Sequence, residues 1–340
     1  MKLSHFIIRR VLLSTIVLLG VCVITFFIAR IIPANPAAMW VGAHPTQEQI
    51  ERARKELGLD KPLYIQFLIY MNKLLHGDLG VSIRTHRPVL SDILSFAPAS
   101  LELVGTSIII AVSIGIPLGV ISATRKDSWV DHLSRLFSIG GVSIFTPWLG
   151  MIGQLLFFKW LGLLPVGDRI STTVSIQYPI QRITGFYLID SLITGNFVAF
   201  RDVLAHLILP AFVVAAYPIG LVTRMTRSTM ADILEEDYIR TAKAYGIPGR
   251  TIAYRYALKN SLGPTITVLA LSFAYSLVET FLVEMVFNWP GLGRYAAFSI
   301  ISLDYPAIMG VAIFIALVYI VLNLIVDILQ AVIDPRIRLT

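Results

Sequence analysis

Four acidic side chains interrupt otherwise apolar stretches of this sequence: Glu102, Glu279, Glu284 and Asp327. A charge placed in hydrocarbon is costly, so each is a functional candidate by default, and the chemistry on offer is the holding of a proton or a cation. Glu279 and Glu284 stand five residues apart. At about 3.6 residues per turn they lie roughly 140° apart around a helix, a poor arrangement for a carboxylate pair sharing one proton. Glu284 is expected near the outer boundary, within reach of water. Glu279 is expected deeper and is the better single polar point on a translocation path. The competing reading pairs all four acids with arginines or polar groups of the bundle. Hydrolytic and nucleotide chemistry finds no support: Walker A, HExxH and GxSxG patterns are absent. His5, His44, His76, His86, His132 and His206 are scattered without ligand spacing, and Cys22 is the single cysteine. No internal disulfide and no metal site are expected, and an enzyme reading has neither nucleophile nor metal constellation.

The elements that position these acids follow from composition. Of 340 residues, 56% are hydrophobic and 14% charged, against roughly 45–50% and 25% in soluble chains. One soluble core of this size cannot hide that surplus, so membrane lipid must solvate part of the surface. A helix crosses roughly 30 Å of hydrocarbon with about 20 apolar residues. Six such stretches occur, near 11–32, 99–123, 136–158, 203–223, 262–287 and 306–331. They are too long and too continuously apolar for barrel strands. The expected fold is an all-α integral membrane protein with six transmembrane helices. Lys2, Arg9 and Arg10 precede the first stretch as they would in a signal peptide, but the apolar run exceeds an h-region of roughly 7–15 residues, so an uncleaved helix is expected.

The net charge of +7 reads as basic loops held at the cytoplasmic face, not as a nucleic-acid surface. With the N-terminus inside, the inner segments collect Lys2, Arg9, Arg10, Arg125, Lys126 and Arg135, then Arg224, Arg227, Arg240, Lys243, Arg250, Arg255 and Lys259, and finally Arg336 and Arg338. The short outer loop 288–305 has only Arg294. Both termini are expected in the cytoplasm of a multi-pass cell-membrane protein.

Two segments outside the spans are too long to be connectors. In 33–98, Thr46 and Gln49 make a capping-box pattern, Ile50, Ala53 and Leu57 recur at helical spacing, and Gly58 can end the helix. A second amphipathic run carries Leu63, Phe67, Met71, Leu74 and Leu75 before Gly77. These predict a small helical cap, either a lid or part of a docking surface. The segment 224–261 reads as helix, turn, helix: acidic residues (Glu235, Glu236, Asp237) at the start and basic ones (Arg240, Lys243) a turn later suit the first helix, Pro248 and Gly249 break it, and a second begins near Arg250. Ala242, Tyr245 and Gly246 share a face at i, i+3, i+4, where small residues would let another protein pack closely. Gly115 and Gly119 form a GxxxG in the second span, which permits close packing.

The stretch Asp237-Tyr238-Ile239-Arg240-Thr241-Ala242-Lys243-Ala244-Tyr245-Gly246, with Ala257-Leu258-Lys259-Asn260 after it, resembles the cytoplasmic loop of ABC importer permeases. More narrowly it resembles the dipeptide, oligopeptide and nickel permease family. Further matching stretches are Arg9-Arg10 to Pro33-Ala34-Asn35-Pro36, Leu57-Gly58-Leu59-Asp60-Lys61-Pro62, Gly77-Asp78-Leu79-Gly80, Glu279-Thr280, Glu284 through Gly293, and Asn323 to Asp327 with Asp334-Pro335-Arg336-Ile337-Arg338. They anchor nearly the whole chain in family order. Tyr245 departs from the usual Lys or Arg before the glycine. Arg240-Thr241-Ala242 stands for the Glu-Ala-Ala of the wider superfamily, as is usual in this subfamily. The outer stretch 170–200, with Gln177, Tyr178, Gln181 and Arg182, has no counterpart in the common pattern.

The resemblance implies a type I importer permease bundle: residues 1–98 as first helix plus outer cap, and 99–340 as a five-helix core with a coupling loop at about 224–261. It implies a coupling helix seated in a groove of an ATPase subunit through Asp237, Tyr238, Arg240, Thr241, Ala242, Ala244, Tyr245, Gly246 and Arg250. The implied partners are a second homologous permease chain, two cytoplasmic ATPase subunits and an extracytoplasmic solute-binding protein. ATP and Mg would be bound by the ATPases, and no cofactor by this chain. Di- or oligopeptides are the family's commonest cargo, with oligosaccharides as an alternative; nickel is disfavoured because no span carries a His cluster. The rival class is an ATP-independent secondary transporter using Glu279, which leaves the 237–260 loop unexplained.

Overall fold

A computed structural model describes residues 3–31, 36–42, 45–56 and 58–333. Lys2, Pro33, Ala34, Asn35, His44, Leu57 and the tail Asp334–Arg338 lie outside the described residues. Helix α1 (Leu3–Ile31) is followed by three short helices, α2 (Pro36–Val41), α3 (Gln47–Glu56) and α4 (Leu63–Leu75). The capping box forms as spaced: the Thr46 N–H donates to Gln49 Oε1 at 2.9 Å and the Gln49 N–H to Thr46 Oγ1 at 3.4 Å. Helix α4 lays Phe67 and Tyr70 on Phe26 of α1, with ring centroids 5.2 and 5.6 Å away. The expected cap is therefore helical and rests on the first span.

The remaining chain forms α5 (Val89–Thr124), α6 (Trp129–Ser143), and α7 (Thr146–Gly153) with a π-helical extension Gln154–Trp160. Short α8 (Thr172–Gln177) and α9 (Tyr187–Ile193) precede α10 (Phe197–Leu234), and α11 (Asp237–Ala244) follows it. Then α12 (Gly249–Thr251) passes through a π-helical segment, Ile252–Leu258, into α13 (Lys259–Val286). Finally come α14 (Leu292–Ile301) and α15 (Tyr305–Ile333). Among the described residues, five helical runs are long and apolar enough to cross a membrane: Ile8–Ile28, Val89–Thr124, Phe197–Leu234, Gly249–Val286 and Tyr305–Ile328.

The third expected span, 136–158, is not one straight helix, and counted as one span it brings the total among the described residues to six. It is a pair of helices, Trp129–Ser143 and Thr146–Trp160, bent by 104°. Ile144 and Phe145 are extended at the break, and Pro147 occupies the first turn of α7. Proline has no N–H to continue the ladder backward and its ring favours a helix start, so a new axis begins there.

The segment between the fourth and fifth spans is also shorter than expected. Helix α10 continues to Leu234 and the next helical run starts at Gly249, which leaves 235–248 in place of 224–261. Met230, Ala253 and Ala257 are buried together with Val120 and Ala123, and that apolar cluster keeps both helix ends wound. Helix α5 begins at Val89 and runs through Pro98, so the division expected at 98/99 falls inside a helix.

Helix α10 is the most buried span and the centre of the bundle. A Cβ on Gly115 would stand 2.9 Å from Val222 Cγ1, and one on Gly119 would stand 2.6 Å from Thr226 Cβ. The GxxxG pair thus lets α5 and α10 pack backbone to backbone. Helix α1 packs on α15, and Arg10 Nε meets Asp327 Oδ2 at 3.1 Å. The arginine partner foreseen for Asp327 is the first span's own.

Candidate functional site

Two regions carry the candidate residues, one at the α11 end of the bundle and one along α13. Helix α11 is held to the body by one apolar edge. Ile239 and Ala242 are buried against Ile252, with Ile233, Leu234 and Ile247 packed around them. Asn260 Nδ2 donates to Tyr238 Oη at 3.0 Å, a second tie to α13. The C-terminus closes in a Schellman turn: the Gly246 N–H donates to Lys243 O at 3.0 Å, the Ile247 N–H to Ala242 O at 3.2 Å, and Gly246 has φ +72°.

The expected docking face changes with this geometry. Ala242 points into the molecule because it shares the anchoring edge with Ile239, three residues before it. Asp237, Tyr238, Arg240, Thr241, Lys243, Ala244, Tyr245, Gly246 and Arg250 are exposed, and Tyr245 keeps 83% of its surface open. The Arg240–Asp237 pair at 3.3 Å is fully on the surface and contributes little to stability.

Beside α11 is a charge cluster that sequence spacing only half reveals. Asp131 is fully buried and accepts from Arg227 Nε at 2.6 Å, Arg227 Nη2 at 2.8 Å, Arg135 Nη2 at 2.6 Å, the Ser122 hydroxyl and the Asp127 N–H. One carboxylate thereby fastens α5, α6 and α10 to each other. Ser128 and Asp131 read as a capping pattern, and Arg135 is one turn on. Arg227 is distant in sequence and leaves no such signal. Nearby, Lys126 Nζ donates to Glu235 Oε1 at 2.9 Å. That hydrogen bond lowers the Glu235 pKa and raises that of Lys126.

Glu284 was expected near water and is instead completely buried. Ser100 Oγ donates to its Oε1 at 2.5 Å, and the Arg294 N–H to its Oε2 at 2.9 Å. Ser100 Oγ in turn accepts the Leu292 N–H at 2.8 Å. The turn after α13 folds the first N–H groups of α14 onto this carboxylate, where the helix dipole favours negative charge. Trp289, fully buried in the same turn, donates its indole N–H to Ala99 O at 3.0 Å. Glu284 therefore caps α14 from a fully buried position.

Glu279 is placed differently. It is half-buried, its Oε1 accepts from the Thr146 hydroxyl, and its Oε2 has no partner among the described residues. It lines a cavity of about 540 Å³ with Phe145, Thr146, Tyr275, Phe281 and Phe314, and it is the one charged residue of that lining. A second cavity of about 480 Å³ shares Tyr275 and carries Arg224 and Ser272 further toward the α11 end. The rings of Tyr217 and Tyr275 lie 4.7 Å apart where the two meet. Thr146 was not singled out in the sequence, because its role depends on the bend between α6 and α7.

Glu102 has the arginine partner that was the competing reading. Arg169 Nη2 and Nε donate to Glu102 Oε2 at 2.6 and 3.0 Å, with both side chains buried. Arg169 also stacks 3.7 Å from the Tyr187 ring centroid and donates to Gly185 O at 2.8 Å. The Leu188 N–H donates to Glu102 Oε1 at 2.8 Å. A second buried acid, Asp190, accepts from the N–H groups of Thr184 (2.8 Å), Gly185 (3.0 Å) and Ile183 (3.3 Å) and from the Thr184 hydroxyl (2.6 Å). Burial alone would raise its pKa, but these donors outweigh burial and hold it below the ordinary value. The stretch 170–200 is therefore pinned to α5.

Residues 115–339 match the family model for the binding-protein-dependent transport system inner membrane component. Residues 3–104 match the model for the N-terminal part of such membrane components. The chain is 47% identical over 322 residues, 95% of this chain and 94% of the relative, to a probable D,D-dipeptide transport system permease protein of Escherichia coli K12. It is 38% identical over 330 residues, 97% and 98% of the two chains, to a dipeptide transport system permease protein of Alkalihalophilus pseudofirmus. An oligopeptide transport system permease protein of Bacillus subtilis is 36% identical over 337 residues, 99% and 100% of the two chains.

Proposed function

The chain belongs to the family of binding-protein-dependent transport system inner membrane components, and from that premise we propose that it moves dipeptides or short oligopeptides across the cell membrane as one permease subunit of an ATP-driven importer. The observation that carries this reading is similarity along nearly the full length of relatives named for dipeptide and oligopeptide transport. The chain itself is the membrane component and hydrolyses nothing. ATP and Mg belong to two ATPase subunits, a second permease completes the pathway, and an extracytoplasmic binding protein delivers the cargo.

In this reading the α11 end faces the cytoplasm, with both termini on that side, because the basic residues of short loops collect there. The exposed face of α11, from Asp237 to Arg250, seats in an ATPase groove. Its buried edge, Ile239 and Ala242, presses on α10 and on the helical run leading into α13. A push on α11 would therefore reach the spans bearing Arg224 and Glu279. ATP binding and hydrolysis bias two states, one open to each side. The helices up to α4 supply the first span and outer cap, and those from α5 onward the transporting core.

The test is a mild-detergent pull-down on a tagged full chain, with the co-purifying proteins identified by mass. A second permease-like chain together with ATPases bearing Walker motifs is the expected result. The accompanying binding protein would then be screened with peptides and oligosaccharides. A lone chain or homodimer that moves solute in ATP-free vesicles would overturn the proposal in favour of a secondary transporter.

A further inference from the structure

We propose that Glu279 receives the free α-ammonium group of the peptide in transit, so that the membrane pathway itself, and not only the delivering protein, selects cargo with an unblocked amino terminus. This rests on the peptide-permease reading above. Three observations converge on it. Glu279 is the one charged group in the lining of a cavity of about 540 Å³ that is otherwise mainly apolar and aromatic. That volume lies within the roughly 300–1,000 Å³ common for small-molecule sites, which pair apolar walls with a few placed polar groups. The carboxylate is also half-employed: Oε1 takes the Thr146 hydroxyl, and Oε2 is shielded and without a partner among the described residues. A buried carboxylate oxygen without a donor is costly, and an ammonium group is the donor that satisfies both its charge and its hydrogen-bonding capacity.

The third observation separates a peptide from a simple cation. The adjoining cavity toward the α11 end carries Arg224, and the Tyr217–Tyr275 ring pair stands where the cavities meet. A proton or metal cation leaving Glu279 would next meet a positive charge. A zwitterion meets an acid first and a base second, which suits a peptide carrying both termini. Phe145, Phe281 and Phe314 offer apolar surface for its side chains. Thr146 opens α7 directly after the 104° bend, so relative motion of α7 and α13 would free the carboxylate from the threonine and present it to cargo.

The experiment uses the complex of this chain with its co-purifying permease, ATPases and binding protein, reconstituted in liposomes with radiolabelled dialanine in the stereoisomer the binding protein retains. Glu279→Gln should lower maximal uptake about tenfold or more, the size expected for loss of one charge-assisted hydrogen bond. Glu279→Asp should recover most of that uptake. Thr146→Val removes the hydroxyl but keeps the charge, and should stay within about threefold of the parent. On the unaltered complex, turnover with dialanine should protect Glu279 from a hydrophobic carbodiimide, read by mass spectrometry at that residue. This measurement stands even where the Gln variant does not assemble. Normal uptake by Glu279→Gln, or equal labelling with and without dialanine, would overturn the inference while leaving the permease reading intact. Failure of the parent complex to take up dialanine with ATP would instead strike the permease reading.

Discussion

Gly246 was the natural place to test coupling from sequence, by Gly246→Trp, since a bulky residue there should block docking and uncouple ATP hydrolysis from uptake. Its φ of +72° changes the design. Any side chain in that left-handed turn strains the Schellman motif by about 1 kcal/mol, whatever docks outside. Ala244 is exposed with ordinary helical backbone, so Ala244→Trp separates docking from folding. It should reduce ATP-driven uptake severalfold with an unchanged thermal transition. Normal uptake would remove α11 as the coupling element. Asp190 permits a test of a different kind. Asp190→Asn replaces an acceptor facing several donors and should cost about 2 kcal/mol of local stability. Because the folded pKa is depressed, the carboxylate's contribution is present above the unfolded value of about 3.9 and fades as pH falls through the folded one. The parent's advantage over the Asn variant, followed by proteolysis of the 179–186 segment, should hold from pH 8 to pH 5 and shrink below about pH 4.

At the scale of elements, buried charge decides how helices that do not touch in sequence are fastened. The Glu102–Arg169 pair joins α5 to the segment before α8, and the Leu188 N–H brings the start of α9 to the same carboxylate. Removing one partner strands the other, so Arg169→Met should destabilise by about 3–5 kcal/mol and open 170–186 to protease. Arg169→Met combined with Glu102→Gln should recover part of that loss, which a simple loss of packing would not do. The α11 edge supplies the complementary case. Ile239→Ala removes the buried anchor while leaving the exposed face untouched, at a cost of about 2–4 kcal/mol. Stimulated ATP hydrolysis should persist while uptake falls. If the two fall together in proportion, the push does not pass through that contact.

Over the whole molecule, the two ends of the bundle divide the work. The α14 end is locked by buried polar knots: Glu284 with Ser100 and α14, and Asp304, which takes the Ser82 hydroxyl at 2.5 Å and the Ala307 N–H at 3.2 Å. The α11 end is tied by Asp131 across α5, α6 and α10, and by an exposed helix on a small apolar edge. Between them, the cavities along α13 hold Glu279 and Arg224. That layout suits a body that moves as packed spans around a path through the middle.

Much of this was legible in the residues themselves. Apolar run length set the number of spans within one, because hydrocarbon thickness leaves a helix little choice. The capping box at Thr46 and Gln49 was readable because caps are local chemistry, whereas the helix expected to run to Pro248–Gly249 already ends at Ala244, with Gly246 in the left-handed turn. The 140° separation of Glu279 and Glu284 was fixed by helix geometry alone. What chain order could not tell is which of the two acids keeps a carboxylate oxygen without a partner among the described residues, since Ser100 and Thr146 are more than 130 residues away from them. Nor could it show that Ala242 faces inward, because a shared helical face is silent about which side the rest of the molecule occupies. Periodicity, span length and caps depend on neighbours within a few turns, so sequence determines them. Burial of a charge and the bend at Ile144–Phe145 depend on packing between distant segments, and only the tertiary structure decides those.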